Sequence, residues 1–130
     1  ELSRLKDLVM KFSLQKQVDF IHHDVSSEKI YKNSSVHIMP TISTPESIEG
    51  FGISNVEAAS FGLPCVISNS GGTPESIGDN GIIVKENDPK KLVKSIIDIF
   101  KTYQSYSRKS YVFAKNFESK KKIEEYLDNF

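Results

Sequence analysis

The chain of 130 residues is long enough for one domain with a core of its own and too short for two of ordinary size. Its 17 basic and 17 acidic residues cancel, so no net positive field marks it as a nucleic-acid binder. A single cysteine, Cys65, excludes a disulfide framework within the chain and fits a reduced, cytoplasmic setting, and no apolar run approaches the ~20 residues of a membrane-spanning helix.

The sequence starts at Glu1, without an initiator Met and inside a helical pattern, as a fragment or processed product would. Leu2, Leu5, Leu8, Val9 and Phe12 recur at helical spacing. Val18 to His22 reads as a short strand, His22-His23-Asp24 as a loop, and Ser26 or Ser27 as the cap of a short helix ending near Asn33. Val36 to Pro40 is a second strand, followed by a polar loop from Thr41 to Ile48 that is long for a strand-to-helix connection. A helix from about Gly52 to Phe61 ends at Gly62, with Pro64 as a stop signal. Pro64 to Ser68 is apolar enough for a strand buried on both faces of a parallel sheet.

Gly71-Gly72-Thr73-Pro74-Glu75 forms a second glycine turn opening a short helix, and Gly81 to Val84 is a fourth strand after the Asp79-Asn80-Gly81 turn. Asp88 caps a long helix with Pro89 in its first turn and a stripe of Leu92, Val93, Ile96, Ile97 and Phe100. Tyr103–Phe117 and Ile123–Phe130 complete the helical pattern, and the Lys90-Lys91 and Lys120-Lys121-Lys122 runs read as solvated helix faces. Strands alternating with helices predict an α/β fold, an open parallel sheet of about four strands with flanking helices.

The chemistry concentrates in Glu49-Gly-Phe-Gly-Ile-Ser-Asn-Val-Glu57. Gly50 and Gly52 leave backbone bare around Phe51, and their N–H groups, with those of Ile53 and Ser54, fall at a helix start, where the helix dipole favours an anion such as a diphosphate. Glu57 lies one turn further on, and its two oxygens can accept both hydroxyls of a ribose diol. Local physics leaves a rival open: Ser54-x-x-Glu57 also fits a capping box that needs no ligand. The Gly71-Gly72 turn is either a second anion-facing turn at the same sheet edge or a plain turn. His22, His23 and Asp24 do not complete a metal site, since adjacent residues on extended chain point apart. His37 reads as a packed or edge residue, and Cys65 has no cationic neighbour to activate it.

Together, Glu49-Gly-Phe-Gly-Ile-Ser-Asn-Val-Glu57-Ala58, Gly62-Leu-Pro64, Gly71-Gly72-Thr-Pro-Glu75 and Asn80-Gly81-Ile-Ile-Val84 with Asp88 resemble the group 1 (family 4) retaining glycosyltransferases of the GT-B fold. Those enzymes carry two glutamates separated by seven residues, as Glu49 and Glu57 are here. The resemblance implies a Rossmann-like nucleotide-sugar-binding domain, incomplete over residues 1–130, and a donor sugar transferred with retention of configuration and without a metal or other cofactor. Glu49 would contact the transferred sugar at the reacting centre. Glu57 would hold the donor ribose, backbone at Phe51, Gly52, Ile53 and Ser54 would face the sugar and diphosphate, and the strand end at His22 would lie near the base. Glu46 is a rival first glutamate that lacks the spacing.

The resemblance also implies what else such an enzyme needs. The partners would be a sugar or lipid-linked acceptor, an N-terminal acceptor domain, and an Arg and a Lys on two strand–helix units that precede this stretch in the family. With the family's strand order, 3-2-1-4-5-6, the strands at Val18 and Val36 would flank a gap two strands wide, which another chain could fill by pairing. The setting would be the cytoplasm, peripheral to the inner face of a membrane. Two other readings keep the fold: a non-catalytic nucleotide-binding or assembly module, and a sugar-nucleotide epimerase, which the glutamate spacing disfavours.

Overall fold

The computed structural model describes residues 1–21 and 25–117. The chain divides into two compact units, residues 1–30 and the chain from Tyr31 onward. In the first, α1 (Leu2–Lys11) follows the three-and-four spacing of its leucines and ends in a tight turn, where Ser13 takes a positive φ and Leu14 N–H donates to the Val9 carbonyl at 2.9 Å. No residue of α1 is buried.

The expected strand at Val18–His22 does not form: residues 18–21 belong to no strand, and His22 lies outside the described residues. Apolar alternation gives a segment strand propensity, but a strand exists only where its N–H and C=O groups find a ladder partner. The sheet therefore has three strands among the described residues instead of four.

α2 (Ser27–Lys32) begins after Ser26, whose hydroxyl accepts from the Lys29 N–H at 3.4 Å. The sheet of the second unit consists of β1 (His37–Met39), β2 (Cys65–Ser68) and β3 (Gly81–Val84), all parallel in the order β1-β2-β3, with His37 opposite Cys65 and Cys65 opposite Gly81. β2 is buried at all four positions, as its unbroken apolar run requires in a sheet covered on both faces. Cys65 and Ile67 join Ala58, Leu63 and Ile77 on one face, with Tyr31, Met39 and Phe61 around them. Val66 faces the other way, into Val84 and Ile99, ringed by Val36, Ile82, Leu92, Ile96, Tyr103 and Tyr106. Each fully buried Ile or Val contributes on the order of 1.5–3 kcal/mol, so this central strand anchors both layers.

α3 (Ile53–Ser60) covers the first face through Ala58, whose small side chain allows the close approach. It ends in a Schellman motif: Gly62 N–H donates to the Ala59 carbonyl at 2.9 Å and Leu63 N–H to the Ala58 carbonyl at 3.1 Å. A 3₁₀ turn (Thr73–Ser76) with Pro74 in its first turn connects β2 to β3. α4 (Pro89–Lys101) covers the second face and is capped by Asp88, as the Asp-Pro pair predicts. Its stripe turns further than expected: Leu92, Ile96 and Ile99 face the sheet, whereas Val93, Ile97 and Phe100 are exposed. α5 (Tyr103–Ala114) packs against α3 and runs into a 3₁₀ turn ending at Phe117, and the expected helix at Ile123–Phe130 lies outside the described residues. No helix of the described residues is long and apolar enough to cross a membrane.

Candidate active site

Loop 41–52 leaves the C-terminal end of β1 and delivers the chain to α3. Within it, Thr44 and Ser47 exchange backbone hydrogen bonds at 2.9 and 3.2 Å, so the Thr-Pro-Glu-Ser segment closes into a small turn. The helix then starts from an unusual residue. Gly52 is the N-cap with φ +84°, in the left-handed region, and a Cβ there would come within 2.7 Å of the Asn55 amide. Only glycine takes this backbone without strain.

This start disposes of the capping box. With Gly52 as cap, Ser54 is already the second helical residue, and no side chain caps α3. The Ser54 hydroxyl instead donates to the Met39 sulfur at 3.8 Å. Glu57 sits beyond the first turn, exposed, and its Oε2 accepts a hydrogen bond from the Tyr31 hydroxyl at 3.2 Å. Its other oxygen accepts nothing from the described residues. The Ile53 and Ser54 N–H groups have no partner among the described residues either, because a helix leaves its first donors unpaired.

Glu49 is half-buried beside this start, with Oε1 accepting from the Gly52 N–H at 3.2 Å. The expected donor-facing residues Phe51, Gly52, Ile53, Ser54 and Glu57 thus share one turn and helix start with Glu49. His22 lies outside the described residues. The Phe51 ring packs on Phe117 with centroids 5.9 Å apart, which ties the turn to the end of α5 and leaves its backbone to the site. Ile53 is 68% exposed.

The Gly71-Gly72 turn buttresses the first turn. Gly72 N–H donates to the Glu49 carbonyl at 2.9 Å, and a Cβ on Gly72 would overlap the Gly50 carbonyl. Below the two turns runs a chain of buried hydroxyls absent from the sequence reading. Asn55 Nδ2 donates to Ser76 Oγ at 2.6 Å, Ser76 Oγ donates to the Thr73 carbonyl at 2.7 Å, and Thr73 Oγ1 donates to the Ser68 or Ser70 carbonyl at 2.6 or 2.8 Å. Ser70 shares a 2.6 Å hydrogen bond with Ser43, whose N–H reaches Glu86 at 3.2 Å. Hydrogen bonding from the Ser70 hydroxyl, and from the Ser43 N–H and hydroxyl, holds the Glu86 carboxyl below its ordinary pKa. The Ser and Thr density around Gly71-Gly72 was the signal available for this network.

Beside α3, His37 is half-buried, with its ring edge-on to Tyr31 at 6.1 Å. Burial lowers its pKa, against the opposing pull of the Asn55 amide and the Glu57 carboxylate. Its Nε2 and the Asn55 Oδ1 are buried without a hydrogen-bond partner among the described residues. Burial pushes the Tyr31 hydroxyl up to about 12, helped by the charge and hydrogen bond of Glu57, so it stays a protonated donor. Burial likewise pushes the Cys65 thiol up to about 12, which makes it an inert filler of the core. Among the described residues no three His, Cys, Asp or Glu side chains gather as a metal site.

A cavity of about 400 Å³ opens on the α4 side of the strand ends, lined by Pro40, Ile42, Ser68, Val84, Asp88 and Leu92 among others. It contains neither glutamate, and Asp88 already occupies the helix start there.

An open parallel sheet with flanking helices, a glycine-started helix behind one strand end, and two carboxylates flanking that start define a protein of the α/β class. The family model for glycosyl transferases group 1 matches residues 1–112, and the chain belongs to that family. It is 33% identical over 100 residues to a sucrose-phosphate synthase of Spinacia oleracea, an alignment covering 71% of this chain and 9% of that protein. It is 28% identical over 132 residues to an uncharacterized glycosyltransferase of Haemophilus influenzae, covering 97% of this chain and 36% of that one. A shorter match, 46% over 44 residues, joins it to an O-antigen chain mannosyltransferase B of Escherichia coli and covers 34% of this chain and 12% of that protein. The chain therefore spans only about a tenth to a third of the length of these relatives.

Proposed function

We propose that this chain is the donor-binding part of a retaining glycosyltransferase that moves a sugar from a nucleotide-sugar onto a sugar or lipid-linked acceptor. The observation that carries this reading is the uncapped start of α3. The N–H groups of Ile53 and Ser54 have no partner among the described residues, and Glu57 has no capping duty to explain it. Family membership makes a glycosyl donor the natural anion.

In this reading the diphosphate lies over the Ile53 and Ser54 N–H groups. The oriented donors stabilise charge on the leaving group as the bond from the anomeric carbon to the diphosphate oxygen breaks. The acceptor hydroxyl oxygen bonds to that carbon and its proton passes to the departing diphosphate oxygen, which has taken the electron pair of the broken bond. Glu57 accepts from the ribose, and Glu49 touches the transferred sugar at the turn, where the Gly52 N–H already orients its carboxylate. His22 contributes near the base. Transfer needs no metal, the acceptor side is built by an N-terminal domain beyond this stretch, and the work is done in the cytoplasm, at the inner face of a membrane.

The test is isothermal titration of the full-length protein with UDP, GDP and ADP, alongside turnover of the matching sugar donors. Glu57→Ala should weaken binding of whichever nucleotide binds best by about 10- to 100-fold, the loss of one or two hydrogen bonds to a charged group. Glu49→Gln keeps an acceptor for the Gly52 N–H, so it should retain donor affinity and lose turnover. Unchanged affinity in Glu57→Ala would sink the ribose assignment, and binding without any transfer in the unmodified protein would point to a non-catalytic module.

A further inference from the structure

We propose that Tyr31 is a positioning residue of the donor site, fixing the Glu57 carboxylate so that the site prefers ribose-bearing donors to deoxyribose ones. This rests on the reading of Glu57 given above. Tyr31 stands in the last turn of α2, 26 residues before Glu57 in the chain, and its hydroxyl lies 3.2 Å from Glu57 Oε2 and 3.4 Å from the Ser54 carbonyl. The hydroxyl has one proton to give, and the charged oxygen is both the nearer and the stronger acceptor.

The ring itself cannot drift. Phe61 packs against it with centroids 5.6 Å apart, and His37 meets it edge-on. A half-buried, doubly braced ring thus presents a hydroxyl to an exposed carboxylate on the neighbouring helix. Without that contact, Glu57 would sample several rotamers on an open helix face, and ligand binding would have to freeze them. With it, Oε2 is engaged and Oε1 remains for a ribose hydroxyl. The 3.2 Å separation is long for an O–H···O bond, for which about 2.7–2.8 Å is usual, so the expected effect is modest.

Tyr31→Phe tests this without disturbing the packing, because it keeps the ring between Phe61 and His37. Titrations of the full-length protein use the tightest binder among UDP, GDP and ADP and its 2′- and 3′-deoxy counterparts. Tyr31→Phe should weaken the ribonucleotide by about three- to tenfold, the size of one hydrogen bond. At least one deoxy counterpart should stay within about twofold of the parent protein, and the thermal midpoint should not move. Added to Glu57→Ala, the same substitution should cost nothing more.

Equal weakening of ribo- and deoxynucleotides by Tyr31→Phe would overturn the proposal in favour of simple packing. Unchanged ribonucleotide binding in Tyr31→Phe, while Glu57→Ala weakens it, would overturn the role of Tyr31 and leave that of Glu57 standing. If Glu57→Ala itself has no effect, the ribose assignment falls, and the positioning role falls with it.

Discussion

Two helices start beyond the C-terminal ends of β1 and β3, the strands on either side of β2, and they treat their first N–H groups differently. At α4, Asp88 turns its carboxylate back onto the Lys91 N–H at 2.9 Å and Pro89 removes another donor, so of the first three positions only the Lys90 N–H lacks a partner among the described residues and the start is largely closed. At α3, a left-handed glycine stands where the capping side chain should be, and the Ile53 and Ser54 donors are left without partners among the described residues. Relative to an Asp cap, a Gly cap gives up roughly a few tenths of a kcal/mol, a stabilisation that α3 forgoes and α4 keeps. A helix start that omits an easily available cap, in a loop held from beneath by a chain of buried hydroxyls, is arranged for something other than stability.

The sharpest way to break this contrast is Gly52→Ala. A Cβ there meets the Asn55 amide, and the positive φ adds strain, so the cost should be about 2–3 kcal/mol in urea unfolding, with donor affinity falling in the folded fraction. Thr73→Val comes next. It removes the hydroxyl that Ser70 N–H approaches at 3.3 Å and that donates to the Ser68 or Ser70 carbonyl, leaving buried polar groups unsatisfied at about 1–3 kcal/mol. Because it loosens the floor of the site, nucleotide affinity should fall with stability.

Asp88→Ala is the counterpart at the closed start. It should cost about 1 kcal/mol in the same unfolding experiment and leave nucleotide affinity where it was. A comparable affinity loss in Asp88→Ala and Gly52→Ala would erase the distinction between the two starts.

The smallest effect is pH-dependent and belongs to His37. Burial holds its pKa below the ordinary 6.5, so between those two values the unfolded chain takes up the proton and the folded one does not. Its contribution to stability is therefore full above the ordinary value, is lost as pH falls below it, and levels off once the folded pKa is passed. The urea midpoint should drop less between pH 7.5 and 5.5 in His37→Gln than in the parent protein, and an identical drop would contradict the burial argument.

Much of this architecture was legible because it is written in short-range signals. Gly62 before Pro64 marks the end of α3, Asp88-Pro89 marks the start of α4, and the unbroken apolar run at Pro64–Ser68 marks a strand buried on both sides. Short-range signals also misled. Ser54-x-x-Glu57 has the spacing of a capping box, yet helix geometry begins at Gly52, and two residues of offset turn a cap into an interior position. Val18 to Ile21 has the composition of a strand, but pairing is decided by what lies alongside. Tyr31 was invisible as a site residue for the same reason: its partners are 23 and 26 residues away, and no periodicity within α2 points to them. The hydroxyl chain from Asn55 to Ser43 spans four separate segments and can be assembled only in three dimensions.

The contact between the two glycine turns has a consequence for anyone who wishes to change what this protein handles. Residues 41–48 form the natural segment to diversify, since their side chains are largely exposed and the segment closes on itself through Thr44 and Ser47. The Gly72 N–H, bonded to the Glu49 carbonyl, and the missing Cβ that lets Gly50 approach act together as a fixed pin at the far end of that segment. A library that varies length or sequence before the pin can reshape the rim while Glu49 keeps its place. One that inserts a residue between Gly71 and Thr73 moves Glu49 along with the rim and, if Glu49 acts as proposed, should return clones without transfer activity.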